Sequence, residues 1–192
     1  PIQLPEPTHA SDAIGKMKPW VTIREAFNGI DPRKMISVQF RSKHLEFLKK
    51  LKAGQYWKHL DPEDQRVAMG KSYFLQGGKT GFYRRLSWDK PSPALVTTPV
   101  MPATMLCHPK ELRPLSIQEY ARIQMFPDTW KFAGTPAHIY KQIGNAVPVG
   151  LAHAAGKALV THLEGKEGRA RIDYTNIAFS RYKGTDHHSF AL

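Results

Sequence analysis

Arg113-Pro114-Leu115-Ser116-Ile117-Gln118-Glu119-Tyr120-Ala121-Arg122-Ile123-Gln124-Met125-Phe126-Pro127-Asp128 is the most strongly marked stretch of this 192-residue chain. Ser116 and Glu119 stand at capping-box spacing, where the hydroxyl accepts from the glutamate amide and the carboxylate reaches back to the serine amide. A helix is therefore expected from Ile117. It should end at Phe126-Pro127, because the residue before a proline is pushed out of the helical region. Further on, Gly144-Asn145-Ala146-Val147-Pro148 reads as a tight turn before a helix that begins at Pro148, a favoured first-turn residue. The apolar stripe of that helix is Val149, Ala152, Ala155, Leu159 and Leu163, widened by Leu151 and Val160. Free amides and the positive end of the helix dipole would suit a carboxylate or phosphate there; the alternative is an ordinary loop-to-helix junction.

Upstream, Thr22-Ile23-Arg24-Glu25 is another capping box, and its short helix should stop at Asn28-Gly29. Residues 33–58 then carry Arg33, Lys34, Arg41, Lys43, Lys49, Lys50, Lys52 and Lys58 against the single acid Glu46. Leu45, Phe47, Leu48 and Leu51 among them suit a helix packed on one face, with lysines on the other and Gly54 ending it. Asp61-Pro62 caps a further helix closing near Gly70. Tyr73-Phe74-Leu75 reads as a short β run, and strand-like stretches follow around Arg84–Trp88 and Ala94–Thr98. Between them lies the glycine-rich loop Gln76-Gly77-Gly78-Lys79-Thr80-Gly81. It is either a simple hairpin loop or a backbone that approaches a nucleic-acid groove, with Arg84 and Arg85 as forks for a guanine edge.

Lys and Arg number 28 against 16 Asp and Glu, a net charge of +12 that points to a polyanionic partner. With 41% hydrophobic and 23% charged residues a packed core is expected rather than disorder. No apolar run approaches a membrane span, and Pro1–Pro7 has no secretory pattern. The lone cysteine, Cys107, excludes an internal disulfide and fits a reducing cytosol. Cys107-His108 invites a nucleophile–base reading, but adjacent residues seldom aim at one atom, so a packed core thiol is expected. No metal-ligand spacing occurs, and His187-His188 falls in a polar tail read as loosely ordered after Glu164.

These separate features share one pattern. Arg113 to Asp128 resembles the ninth ordered motif of cytosine-5 DNA methyltransferases, and Tyr140-Lys141-Gln142-Ile143-Gly144-Asn145-Ala146-Val147-Pro148 resembles the tenth. Gly81-Phe82-Tyr83-Arg84-Arg85-Leu86-Ser87-Trp88-Asp89-Lys90-Pro91-Ser92-Pro93 is similar to the core of their target-recognition domain. The likeness runs from about Pro5 to Leu163. It implies a mixed α/β fold: a small recognition domain of short helices and twisted strands, plus a C-terminal helix completing a Rossmann-like methyltransferase domain supplied elsewhere. The corresponding divisions are 1–29 as linker, 30–135 as recognition domain, 136–164 returning to the catalytic domain and 165–192 as tail.

In that family a cysteine preceded by proline attacks C6 of a flipped-out cytosine, and S-adenosylmethionine donates the methyl group to C5. Extrusion is needed because the stacked base hides both atoms. Here Cys107 follows Leu106, and neither a Glu-Asn-Val triplet nor a glycine-rich cofactor turn is present. No catalytic residue is therefore assigned, and the chain alone is expected to be inactive. The resemblance assigns DNA contact to Gly78, Lys79, Arg84 and Arg85. Where the family usually has Thr-Leu, Ala94-Leu95 stands here, so either Thr97 or Thr98 substitutes for the lost hydroxyl or binding is weaker, and Thr97 is taken as the candidate. It assigns organisation of the domain to Arg113, Glu119 and Arg122, and a place beside the cofactor's methionine end to Asn145, Ala146 and Val147. The implied partners are double-stranded DNA and a catalytic half, in a cytoplasmic, nucleoid-associated setting. Open readings are a split enzyme's recognition subunit, a non-catalytic sequence-specific DNA-binding module, and a remnant of a truncated methyltransferase.

Overall fold

Capping chemistry accounts for the starts of several helices. In the computed structural model, which describes Pro5 and residues 7–10, 17–76 and 79–165, Thr22 and Glu25 close a reciprocal capping box on α1 (Ile23–Phe27). Asp61 accepts from the Asp64 amide at the head of α3 (Pro62–Met69), and α2 (Ser42–Leu48) precedes it. Ser116 and Glu119 form the expected box on α4 (Ile117–Ile123). This helix stops before the proline. Met125, at φ 63°, donates to the Arg122 carbonyl and Phe126 to that of Ala121, both at 2.9 Å, the paired bonds of a Schellman motif with methionine where glycine is usual.

The stretch 144–148 departs from the expected tight turn. Thr135 caps α5 (Pro136–Asn145), which buries Ile139, Tyr140 and Ile143, and α6 (Val149–Leu163) follows after a short connection. Gly144 thus lies inside a helix. A side chain there would meet the Val96 carbonyl oxygen at 2.3 Å, so close approach of two backbones, not a turn, requires the glycine.

The expected strands also give way. Tyr73 ends a 3-10 helix (Gly70–Tyr73) and Phe74-Leu75 form a bend. Around 84–115 only isolated bridges form, Arg85 with Cys107 and Cys107 with Pro114. Pro91, Pro93, Pro99 and Pro102 remove amide donors and leave no run long enough for a ladder. The regular pairing among the described residues is a parallel couple, β1 (His9–Ala10) and β2 (Lys18–Pro19), with His9 opposite Lys18. The chain is thus a mixture of short helices and sparse strand.

Residues 7–152 form one compact unit, and residues 153–165 belong to another. Within the first, one apolar cluster gathers Ile23, Leu86, Leu115, Tyr120, Tyr140 and Ile143 around α4 and α5. A second gathers Phe40, Leu48, Trp57, Leu60, Tyr83 and Met105 around α2 and α3. Helix α6 buries none of its residues, and Leu151, Leu159, Val160 and Leu163 are exposed. Among the described residues no helix is long and apolar enough to cross a membrane. Gly78, His187-His188 and the tail from residue 166 lie outside the described residues.

Candidate functional site

The Ser116 capping box does more than start a helix. The Glu119 carboxylate, 2% exposed, accepts the Ser116 amide at 2.6 Å and takes both ends of the Arg113 fork, at 2.8 and 2.9 Å. Arg113 also reaches Glu111 at 2.8 Å, and these carboxylates raise the guanidinium's pKa against the opposing effect of its burial. His108 lies beside this pair. Its Nδ1 accepts from the amides of Lys110 and Glu111, leaving Nε2 as the N–H, 3.6 Å from Glu119. Phe27 stacks on the imidazole and Trp88 meets it edge-on. Burial, helped by Arg113 and Arg85, outweighs Glu119 and Glu111 and pushes His108 below its ordinary pKa. Arg122 forks onto Asp128 and donates to the Asn28 carbonyl, tying α4 to the end of α1.

Cys107 is fully buried, and burial raises its thiol to about 11, so it stays protonated at neutral pH. This is the packed thiol expected, and it is no nucleophile here. Among the described residues no group of His, Cys, Asp and Glu could hold a metal ion.

Of the residues expected to meet DNA, Lys79 and Arg85 turn inward. The Lys79 ammonium donates to the carbonyls of Ser72, Tyr73 and Leu75 at 3.2, 2.9 and 2.5 Å, and lies 5.4 Å from the centre of the Trp57 ring. The Trp57 indole in turn donates to the Lys79 carbonyl at 2.9 Å. The Arg85 guanidinium spans the carbonyls of Leu51, Pro109 and Lys110. Arg84 donates through Nε to the Thr80 carbonyl and is half-buried. Nothing in the sequence pattern distinguishes a lysine bound for a phosphate from one that caps carbonyls.

The structure does bring Thr97 and the 144–147 stretch together. A Cβ built on Gly144 would lie 2.8 Å from the Thr97 amide nitrogen, so the backbone at Val96-Thr97 and the end of α5 meet there. The connection after α5 is pinned by Gln124, which sequence reading overlooked. Its side-chain amide donates to the carbonyls of Ile143 and Ala146 at 3.0 and 2.8 Å, and its own carbonyl accepts the Val149 amide at 3.2 Å. The first amide of α6 is therefore taken, which narrows the anion-site expectation. Asn145 and Val147 are exposed beside it, and Ala146 is half-buried.

Apolar side chains flank this connection. Val21, Ile123 and Met125 line one cleft, and Met125 packs against Gly150. Val21, Met125, Val147, Val149 and Leu151 are all about half exposed or more.

A sequence profile described as C-5 cytosine-specific DNA methylase matches residues 8–161. The chain is 54% identical over 118 residues to the type II methyltransferase M.PspPI of Psychrobacter sp. (strain TA137), covering 62% of this chain and 28% of that protein. It is 49% identical over 126 residues to M.Eco47II of Escherichia coli, covering 66% and 30%. It is 48% identical over 124 residues to M.Sau96I of Staphylococcus aureus, covering 65% and 29%. The matched stretch thus spans less than a third of the length of each of these relatives.

Proposed function

This chain belongs to the C-5 cytosine-specific DNA methylase family, and from that premise we propose that it is the DNA-reading portion, which also completes the cofactor site, of a cytosine-5 methyltransferase. The reaction is methyl transfer from S-adenosylmethionine to C5 of an extruded cytosine. Its nucleophile and acid–base residues lie on sequence outside these 192 residues. The single observation that carries this reading is the contact of the Val96-Thr97 backbone with Gly144, which couples the recognition stretch to the Asn145-Ala146-Val147 segment at the end of α5.

Each group of residues then has a role. Arg84 and Thr97 face the duplex. Lys79 and Arg85 act by holding the recognition stretch in shape, because their charged ends already bind main-chain carbonyls. Arg113, Glu119 and Arg122 fix the helices behind it. Asn145, Ala146 and Val147 line the methionine end of S-adenosylmethionine, which supplies the methyl group, and Gln124 holds that wall rigid. The patch of Val21, Met125, Val149 and Leu151 packs on the catalytic portion, whether that is a separate chain or an upstream part of the same polypeptide. The exposed Ala94 has no hydroxyl to offer a phosphate, and Thr97 takes that role.

Selection from a pool of random duplexes tests this reading. The chain should enrich one short sequence, and replacing Arg84 with Gln should relax the preference. Enrichment of no sequence, with the chain demonstrably folded, would contradict it.

A further inference from the structure

Lys79 and Arg85 leave open which cations of this strongly basic chain engage a polyanion. A cleft of about 240 Å³ lies between Gln39–His44 and Val100–Pro102, walled by Gln39, Arg41, Lys43, His44, Val100 and Pro102. Arg41 and Lys43 are exposed, and neither forms an ion pair with a carboxylate among the described residues. Lys50, just past the end of α2, is instead paired with Asp64. Two uncompensated cations converging on one small cavity repel each other unless an anion sits between them.

A second observation comes from His44. It is 6% exposed, and its Nδ1 has no hydrogen-bond partner. Buried polar atoms are nearly always paired, so an orphan in a cleft wall marks a place where a ligand or ion belongs. Burial, then the charges of Lys43 and Arg41, hold its imidazole below the ordinary pKa, so the wall carries the charge of Arg41 and Lys43 alone at neutral pH.

The cleft also shares its framework with the recognition stretch. Tyr83 meets His44 edge-on at 5.7 Å and Phe47 at 5.5 Å. Gly81 lies so close to the 3-10 turn Pro102–Thr104 that an added Cβ would sit 2.0 Å from the Ala103 carbonyl oxygen. A group seated in the cleft would thus be held at a fixed distance from Gly81–Arg85.

We propose that this cleft seats a backbone phosphate of the DNA duplex, held by Arg41 and Lys43, and so sets the register of the recognition stretch on its target. The proposal rests on the DNA-reading role given above. A phosphate contact of this kind positions the protein without reading sequence, and its signature is the salt dependence of affinity.

The test measures duplex affinity of the chain by fluorescence anisotropy across a salt series. The parent is compared with Arg41→Gln/Lys43→Gln and with a control, Lys18→Gln/Lys131→Gln, all checked for an unchanged thermal melt. The slope of log affinity against log salt should become shallower by about 1 in the first double variant, since each neutralised phosphate contributes roughly 0.9. The control should keep the parent slope, and the preferred sequence should be unchanged in both. A parent slope in Arg41→Gln/Lys43→Gln overturns the phosphate seat while leaving DNA reading intact. Binding of inorganic phosphate that this variant abolishes, without any change in DNA slope, would make the cleft a free-anion site and overturn its assignment to DNA. A parent chain that binds no duplex even at low salt overturns both readings together.

Discussion

The hub of α4 and α5 and the stretch from Ser72 to Cys107 are held together by opposite means. In the hub, side chains satisfy one another: Arg113 forks onto Glu119, Glu119 closes the cap on Ser116, and Tyr140 donates to the Leu115 carbonyl at 2.7 Å. In the recognition stretch, cationic side chains satisfy main-chain carbonyls that no ladder reaches, through Lys79 and Arg85. The first arrangement is local and periodic. The second depends on where distant backbone happens to run, and it ties up charges that composition alone would send to DNA.

That comparison sets the order of expected effects. Replacing Glu119 with Ala takes from the largely buried Arg113 its buried carboxylate and leaves it only the exposed Glu111. Loss of one member of a buried pair typically costs about 3–5 kcal/mol, and urea denaturation should show a loss of that order. A loss near zero would remove the hub's distinction. Gly144→Ala forces a Cβ onto the Val96 carbonyl at 2.3 Å. Overpacking of this kind costs roughly 1–3 kcal/mol, readable in the same titration. Lys79→Met removes the ammonium from the Ser72, Tyr73 and Leu75 carbonyls and should cost about 1.5–3 kcal/mol by the same titration, with the salt slope of DNA affinity unchanged. A lost slope with undiminished stability would return Lys79 to the phosphate role first expected of it. At the surface, Arg24→Gln breaks an exposed pair with Asp89 at 2.8 Å and should shift stability by less than about 1 kcal/mol.

The pH dependence separates the regions in another way. His108 and His44 both have folded pKa values below the ordinary 6.5. Below about 6.5 the unfolded chain binds protons that the folded chain refuses, so their contribution is complete above that value and declines on acidification towards the lowered ones. Melting temperature should fall between pH 7.5 and 5.5, and His108→Phe should flatten part of that fall. An equally steep profile in the variant would shift the effect to His44 and the cluster around α2 and α3.

What could be read from sequence follows the same division. The caps at Thr22, Asp61 and Ser116 are three- or four-residue patterns with their own chemistry, and each begins a helix where expected. Thr135-Pro136 carries an equally local signal, yet Gly144 suggested a turn where α5 still runs. The glycine answers to Val96, a contact no local pattern encodes. The inward course of Lys79 and Arg85 was hidden for the same reason: Arg85 binds carbonyls at Leu51 and Lys110, far away in sequence, and Lys79 binds those of an irregular bend at Ser72, Tyr73 and Leu75. The cleft at Arg41 and Lys43 needed both the basic run and the Val100–Pro102 turn to be placed.

The most direct measurement is methyl incorporation from labelled S-adenosylmethionine into duplex DNA, with this chain mixed with a polypeptide carrying the catalytic portion of the family. The account predicts methylation by the mixture and by neither component alone, reduced when Gln124 is replaced by Ala. Methylation by the catalytic portion alone, at the same rate and sequence preference with or without this chain, would contradict it.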